Sequence, residues 1–413
     1  MRVVTIRRCL CFLAACLLLA AAPAEPQAVA SLDKGPEPPH LLKDQPIEPY
    51  QLELLDLAWR AATAYPLNPH IKNRARAEEH VVHGALDLKQ PHLAWGYAKK
   101  VVNWRKGACY AEIAHYLVEQ GDLEHVEYFL QQAILHSKDP KQGWRHARVK
   151  ARVAAARVLM GDEAGAEGLV ESQDYEGLGE ELSARGAAAS DEEFASVLAT
   201  LAKMASLEGY NEILATMNAY AELYASHFDN PERREKLVEL NRAISKNMPG
   251  ARRLEVALKF ASAALDNGDP ATAEALIDEA DEIRRSYRWQ LDLYLDYQAQ
   301  IAAYRAAAGQ QDAARELLEA AVELGEEKLK DVQNFYRADA MRPVAEAYAK
   351  IGDEQRALEL YKRVVAMGAE NPNLRPRISD ITDSCVSMAV QGIEPDDELF
   401  ATIRAIVNEL AEK

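Results

Sequence analysis

A glycine that recurs with small residues at fixed distances constrains this chain more than any other feature. Gly352 has Ala345 seven residues before it and Ala357 five after it, with Tyr348 and Tyr361 flanking. Gly309 has Ala302 and Ala314 at the same offsets and Ala321 twelve after; Gly268 has Ala261, Ala273 and Ala280. Gly161 has Ala154 and Ala166, and Gly121 has Ala114 and Ala133, with Val126 in the middle place. Clear neighbours among these copies lie 40, 41 and 43 residues apart. Small residues let two helices approach closely, and glycine allows the tight turn between them. Each such hairpin leaves an apolar face that only the next hairpin can cover. The spacing predicts an all-α fold, an α-solenoid of stacked antiparallel hairpins, about nine of them at about 40 residues each.

The rest of the chain divides around this array. From Tyr50 onward apolar residues recur at i, i+3, i+4 and i+7, interrupted by Gly-Asp, Asn-Pro and Asp-Pro breaks, with no alternating strand run. The array is assigned to residues 50–413, with an irregular middle over 173–250 where the glycine pattern fades. Residues 31–49 hold five prolines and read as a linker. Before it, "MRVVTIRR" carries three arginines and no acid, and an apolar run of 14 residues follows over 9–22. Small-residue cleavage sites come next, Ala22-Pro-Ala24 or Ala28-Val-Ala30. This is the layout of a secretory signal peptide over residues 1–24, or to residue 30 at the later site. The run is shorter than the roughly 20 residues of a spanning helix. The expectation is an extracytoplasmic chain, periplasmic or secreted, with no transmembrane segment once mature. "LAAC" at 13–16 resembles a lipoprotein box and gives anchoring through Cys16 as an alternative, although that Cys sits in the middle of the apolar run. Cleavage leaves Cys109 and Cys385, too few for a disulfide-built fold. In an elongated array two sites so far apart in sequence should not meet, so both read as buried small hydrophobes.

The order of small residue, aromatic, glycine, small residue, aromatic is best formed by Ala345, Tyr348, Gly352, Ala357 and Tyr361, and it resembles the tetratricopeptide repeat family. The resemblance is good over 251–369, fair over 104–172 and poor over 173–250. The unit exceeds that family's usual length of about 34 residues. The family's later proline is missing from most copies, which leaves the superhelical twist open. The resemblance implies a superhelix whose first helices line a groove, and a protein-binding scaffold. Some members grip an acidic peptide C-terminus with Lys and Asn on those helices. The corresponding residues here are Asp339, Arg342 and Glu346 in the best copy and Asp296, Ala299 and Ala303 in the one before, so that clamp is absent.

Motifs that carry chemistry are missing. There is no G-x-x-x-x-G-K-[ST], H-E-x-x-H, C-x-x-C or G-x-S-x-G. Gly177-Leu-Gly179 is followed by acids rather than by a phosphate-cradling glycine. His80 and His83 share a helix face, but no further ligand completes a zinc spacing, and both read as solvated. The acid pairs Glu180–Glu181 and Glu192–Glu193 read as solvated helix faces. The expectation is no cofactor, no metal and no catalytic residue. The alternatives are a cell-envelope carbohydrate-active enzyme on a helical scaffold, or a self-assembling structural protein. A formal charge of −17 argues against a general nucleic-acid binder.

That negative charge is unevenly spread. Residues 95–160 carry eleven basic side chains against six acidic ones, whereas 161–200 carry eleven acids against Arg185 alone. Within the basic segment Arg145, Arg148 and Arg152 lie at i, i+3 and i+7, on one face of a helix expected over 141–160, and Lys141 extends the stripe by a turn. These four are the partner-binding residues the sequence nominates, for a protein or peptide partner that is acidic if the stripe is its contact. The competing expectation pairs the stripe with downstream acids such as Glu163 and Glu167. Trp104 and Trp144, each beside an arginine, are assigned to core packing with ligand stacking as the alternative. Intact-mass analysis of the native protein should show cleavage after residue 24, or by residue 30, without lipid; a diacylglycerol on Cys16 at the new terminus would contradict this.

Overall fold

The computed structural model describes residues 43–138, 143–171 and 174–412. The signal segment, most of the linker and Lys141 lie outside the described residues. All described residues belong to one compact unit spanning 42–413. Its helices, in order, are α1 (Pro49–Thr63), α2 (Leu67–Asp87), α3 (Pro91–Ala98), α4 (Arg105–Glu119), α5 (Val126–Ser137), α6 (Gly143–Leu159) and α7 (Glu163–Ala166). There follow α8 (Tyr175–Gly186), α9 (Asp191–Ala205), α10 (Tyr210–Ser226), α11 (Pro231–Ser245), α12 (Gly250–Asp266) and α13 (Pro270–Ser286). The last are α14 (Leu291–Ala307), α15 (Gln311–Lys328), α16 (Asn334–Lys350), α17 (Glu354–Ala369), α18 (Leu374–Gln391) and α19 (Asp397–Ala411). No strand occurs among the described residues, and none of their helices is long and apolar enough to cross a membrane. The fold is an all-α solenoid.

The recurring glycine has a specific backbone task. Gly121, Gly161, Gly268, Gly309 and Gly352 all take left-handed φ values, from 72° to 89°. There the residue after the glycine turns its N–H back to the helix it has left: Asp353 to the Tyr348 carbonyl (2.9 Å), Asp269 to Ala264 (2.9 Å) and Asp162 to Arg157 (2.8 Å). This closes the carbonyls that a helix end leaves open. The same aspartates then cap the next helix, Asp353 accepting from the Arg356 N–H (3.2 Å) and Asp269 from Thr272 (3.0 Å). "Gly-Asp" thus ends one helix and starts another in two residues. Every alanine that the spacing singles out, from Ala114 to Ala357, is fully buried, and so is Val126.

Helices pair as α2 with α3, α4 with α5, and so on to α16 with α17. The even-numbered helices also pack on each other in sequence, α4 on α6, α6 on α8, through to α16 on α18, and form the inner layer. The expectation of an elongated array is corrected at its ends. α18 takes as its hairpin partner not α19 but α1, from the other end of the chain, and α2 packs between α18 and α4. The inner layer therefore closes on itself with nine helix pairs, and α19 covers α1. Gln51 Nε2 donates to the Ala389 carbonyl (2.8 Å), and the Tyr65 hydroxyl to that of Arg375 (2.6 Å). Arg60 donates to Asn408 (2.6 Å) and Arg404 pairs with Glu53 (2.6 Å). A Cβ on Gly84 of α2 would lie 2.6 Å from Val386 Cγ1 and 3.6 Å from Leu55 Cδ2, so the glycine sets how closely the two ends approach. One apolar cluster runs through the seam, from Leu54 and Val81 to Val386 and Val407. Closing the array removes the two apolar ends that an open solenoid must cap with polar residues.

Cys109 and Cys385 are free and fully buried, and burial raises both thiols, that of Cys385 to about 12. Over 173–250, α8 to α11 continue the same two-layer alternation. Glu208 takes the left-handed φ (56°) at the α9–α10 turn in place of a glycine. Gly177, Gly179 and Gly186 are packing residues, lying against Ala151, the Ala215 carbonyl and Leu223.

Ala357→Leu should cost about 1–3 kcal/mol, because overpacking forces α16 and α17 apart. Gly84→Val should cost at least as much, since its branches would meet Val386 and Leu55 across the seam. Urea unfolding checks both; wild-type midpoints would show that neither contact is tight.

Candidate functional site

Two regions of the inner-layer helices bring polar and charged residues together. The first lies on α12, α14 and α16. An open pocket of about 500 Å³ there has a floor of Ala299, Ala303 and Ala347 and a rim that includes Asp266, Asp296, Gln300, Tyr304, Glu346 and Lys350. Four of the positions that the repeat register assigned to the groove, Asp296, Ala299, Ala303 and Glu346, line it. Burial raises the Asp296 carboxyl and Glu346 and Glu255 raise it further, against a hydrogen bond from Gln300 (2.9 Å) and the charge of Arg342.

Arg342 organises the polar groups between this pocket and the seam. It donates to Asp339 (2.8 Å) and lies 3.8 Å from Glu346 and 3.9 Å from Asp383. Burial opposes its charge, but the carboxylates of Asp383, Asp339 and Glu346 outweigh burial and hold the proton more firmly than usual. Across the seam His80 Nδ1 meets Asp383 at 2.8 Å. Burial raises Asp383, and His80 and Arg342 more than offset it, so the carboxyl stays ionised below its usual range. The Ser387 hydroxyl donates to Glu346 (2.6 Å) and meets the Tyr361 hydroxyl (2.7 Å). The histidine expectation is corrected for His83: His80 is exposed and meets Asp383, whereas His83 is largely buried, its Nε2 without a hydrogen-bond partner among the described residues. These two do not make a metal site, and the described residues contain no group of three or more His, Cys, Asp or Glu side chains placed to hold a metal.

The second region lies on α2, α4, α6 and α8, and it divides the nominated stripe. Arg152 turns inward, donating to Glu112 (3.1 Å). Beside it burial lifts the Glu180 carboxyl to about 7; Arg152 opposes this, while Glu222, Glu176 and Glu112 add to it. Glu180 is therefore not a solvated acid. Arg148 is exposed and lies 3.6 Å from an equally exposed Glu176, and Arg145 stands 5.3 Å from the Trp144 ring and 5.7 Å from that of Trp104. The pairing expected with Glu163 is replaced: Glu163 binds Arg185, while the stripe finds Glu112 and Glu176 on the flanking inner helices. The tryptophans divide as well. Trp104 is 7% exposed, whereas Trp144 is 61% exposed and packs edge-on against it at 5.9 Å.

Sequence reasoning missed Arg76 and Glu79 of α2, which the fold brings beside α4. Glu79 pairs with Arg105, and Arg76 lies close enough to disfavour the charge on Arg105. Only tertiary packing relates residues so far from the stripe. A further pocket between α15 and α17 pairs Arg315 with Asp353 (2.8 Å) and Arg356 with Glu359 (2.7 Å) and is lined also by Glu319, Glu323 and Glu326.

Asp380, on the seam helix α18, is 1% exposed and its carboxyl oxygens have no well-formed hydrogen bond among the described residues. Burial, with Asp339 and Asp383, pushes it up to about 8 against Arg342 and the nearby Asn371 amide. It is neutral at pH 7. The folded chain then binds a proton that the unfolded chain releases near 3.8, so this group's contribution falls as pH rises from about 4 to about 8. Asp380→Asn should remove that slope, so that the variant gains steadily on wild type between those limits in urea unfolding. Parallel stability curves would show that Asp380 does not titrate there.

The sequence matches no known family model and no curated protein. Solved structures that match include one described as a circular tandem repeat protein with novel repeat topology and enhanced subunit contact surfaces. It is 15% identical, and the alignment covers 88% of this chain and 94% of that one with a TM-score of 0.28. A likeness at that level carries no argument about this chain, whose helical repeat architecture stands on its own geometry.

Proposed function

We propose that this chain is a non-catalytic scaffold, tetratricopeptide-like in its hairpins, that binds a protein or peptide partner along its inner-layer helices. The observation that carries this reading is the open pocket across α12, α14 and α16. Its alanine floor lets an extended segment approach the helices closely, and the polar rim gives that segment hydrogen-bond partners. Consecutive helices present equivalent positions in one pocket, Ala303 of α14 and Glu346 of α16, which suits many shallow contacts on a preformed surface. The arginine-flanked apolar run at the N-terminus supports an extracytoplasmic site of action.

One observation favours the rival reading of a cell-envelope carbohydrate-active enzyme. Glu180, raised to about 7 among Glu112, Glu176 and Glu222, has the proton affinity of a general acid. Arg152 occupies the space between these carboxylates, however, through its bond to Glu112.

Photo-crosslinking residues at Ala303 and Gln300 should capture a discrete partner protein from native envelope extract, while the same probe at Glu316 on the outer helix α15 should not. Equal capture at both places would remove the inner layer as the binding face. Release of sugars from envelope polysaccharide, abolished by Glu180→Gln, would establish the enzyme instead.

A further inference from the structure

The place where α4 and α6 begin, beside α2, concentrates positive charge. Arg105 opens α4, Arg145 and Arg148 occupy the first two turns of α6, and Arg76 is exposed on α2. Burial weakens the hold of Arg105 on its proton, and Arg76, Arg148 and Arg145 weaken it further, so four guanidiniums crowd one place in a protein of charge −17. Glu79 pairs with Arg105 and Glu176 with Arg148, the latter pair more than half exposed and so weakly bound. Arg76 forms no ion pair among the described residues. The sign is also unfavourable for the helices. A cation in the first turn opposes the positive end of the macrodipole, and among the described residues the first turns of α4 and α6 carry no acid.

Next to these charges lies the Trp104–Trp144 pair. Trp104 is anchored in the core and holds Trp144 edge-on, while the Arg105 and Arg145 guanidiniums stand 5.0 Å and 5.7 Å from the Trp104 ring. A tryptophan left exposed costs the solvation of a large apolar ring, yet this one is positioned by a buried neighbour rather than free to fold away. Tryptophan and arginine are the residues that most often dominate protein interfaces. Arg152, four residues beyond Arg148 and seven beyond Arg145 on α6, belongs elsewhere because Glu112 holds it.

We propose that this rim binds an acidic peptide segment, Arg76, Arg105, Arg145 and Arg148 taking its carboxylates while Trp144 packs against an apolar residue beside them. The inference rests on the scaffold reading and names the partner's chemistry at a place separate from the α12–α14–α16 pocket. Guanidiniums bind carboxylates through paired N–H donors, and the exposed setting makes the attraction dependent on salt.

The test uses the purified full chain and a fluorescent peptide of about ten residues, glutamates around a central Phe, read by anisotropy. Saturable binding should weaken about tenfold from about 50 to about 300 mM salt. Arg76→Glu with Arg148→Glu, both at exposed positions, should weaken it about tenfold or more while leaving the melting curve unchanged. Trp144→Ala should weaken the Phe peptide about threefold or more and leave a Gly-centred peptide unaffected. A glutamine version that binds equally well, or wild-type affinity in the double variant, overturns the proposal. Polygalacturonate that binds more tightly through the same arginines assigns the rim to an acidic glycan and also overturns it. Arginine-dependent peptide binding without capture of any protein from the inner layer would sink the scaffold reading but keep the rim; the reverse outcome sinks the rim alone.

Discussion

The pairing of α1 with α18 is the contact on which the rest of this architecture depends. A solenoid repeat buries its apolar face only against a neighbour, so the first and last repeats of an open array are always short of one. Here the last inner helix takes its hairpin partner from the beginning of the chain, and one apolar cluster continues across the seam from Val407 and Val386 into Leu54 and Val81. The arrangement needs a close approach, which Gly84 allows by presenting no Cβ to Val386. It also joins residues more than three hundred positions apart, as Tyr65 with Arg375 and Gln51 with Ala389 illustrate. Contacts of that range make loop-closure entropy a large opposing term, offset only when the whole array is in place.

Closure also explains where the buried charge sits. Because α18 is packed by α1, α2, α16 and α17, almost every side of it is covered, including the side that bears Asp380 and Asp383. Asp383 stays ionised because His80 and Arg342 reach it from two other helices. Asp380 gains no comparable partner, and burial leaves it neutral. Two aspartates three residues apart on one helix thus take opposite protonation states, and the difference comes entirely from what the seam places beside each.

The inner layer divides into regions of opposite character. Around α12, α14 and α16 the groups are acidic, with Arg342 as their counter-charge, and the surface is open with an alanine floor. Around the start of α4 and α6 arginines outnumber acids and an exposed tryptophan stands beside them. A partner that presented acidic and basic segments in a fixed order would meet complementary charge at both places, which favours one orientation over the reverse.

Much of the fold was legible in the sequence because its signals are local. A glycine that must be left-handed, an aspartate that caps the next helix and an alanine at a helix crossing each act within one hairpin, and Gly352, Asp353 and Ala357 do in the structure what their spacing implies. The family resemblance assigned Asp296, Ala303 and Glu346 to a groove, and the structure brings the three to one pocket. The ends of the array were not legible, since nothing in the residues of α1 says which helix will cover it. The same limit applied to the stripe on α6. Helical period puts Arg145, Arg148 and Arg152 on one face, but a neighbouring helix decides that Arg152 turns to Glu112, that Arg148 stays in solvent, and that Arg76 joins it from another repeat. Sequence by itself determined the unit and its repetition, because those rest on backbone geometry within a few residues. Tertiary structure alone decided closure, the charge state of Asp380 and the membership of the arginine cluster, because each depends on groups brought together only when the chain's two ends meet or its repeats stack.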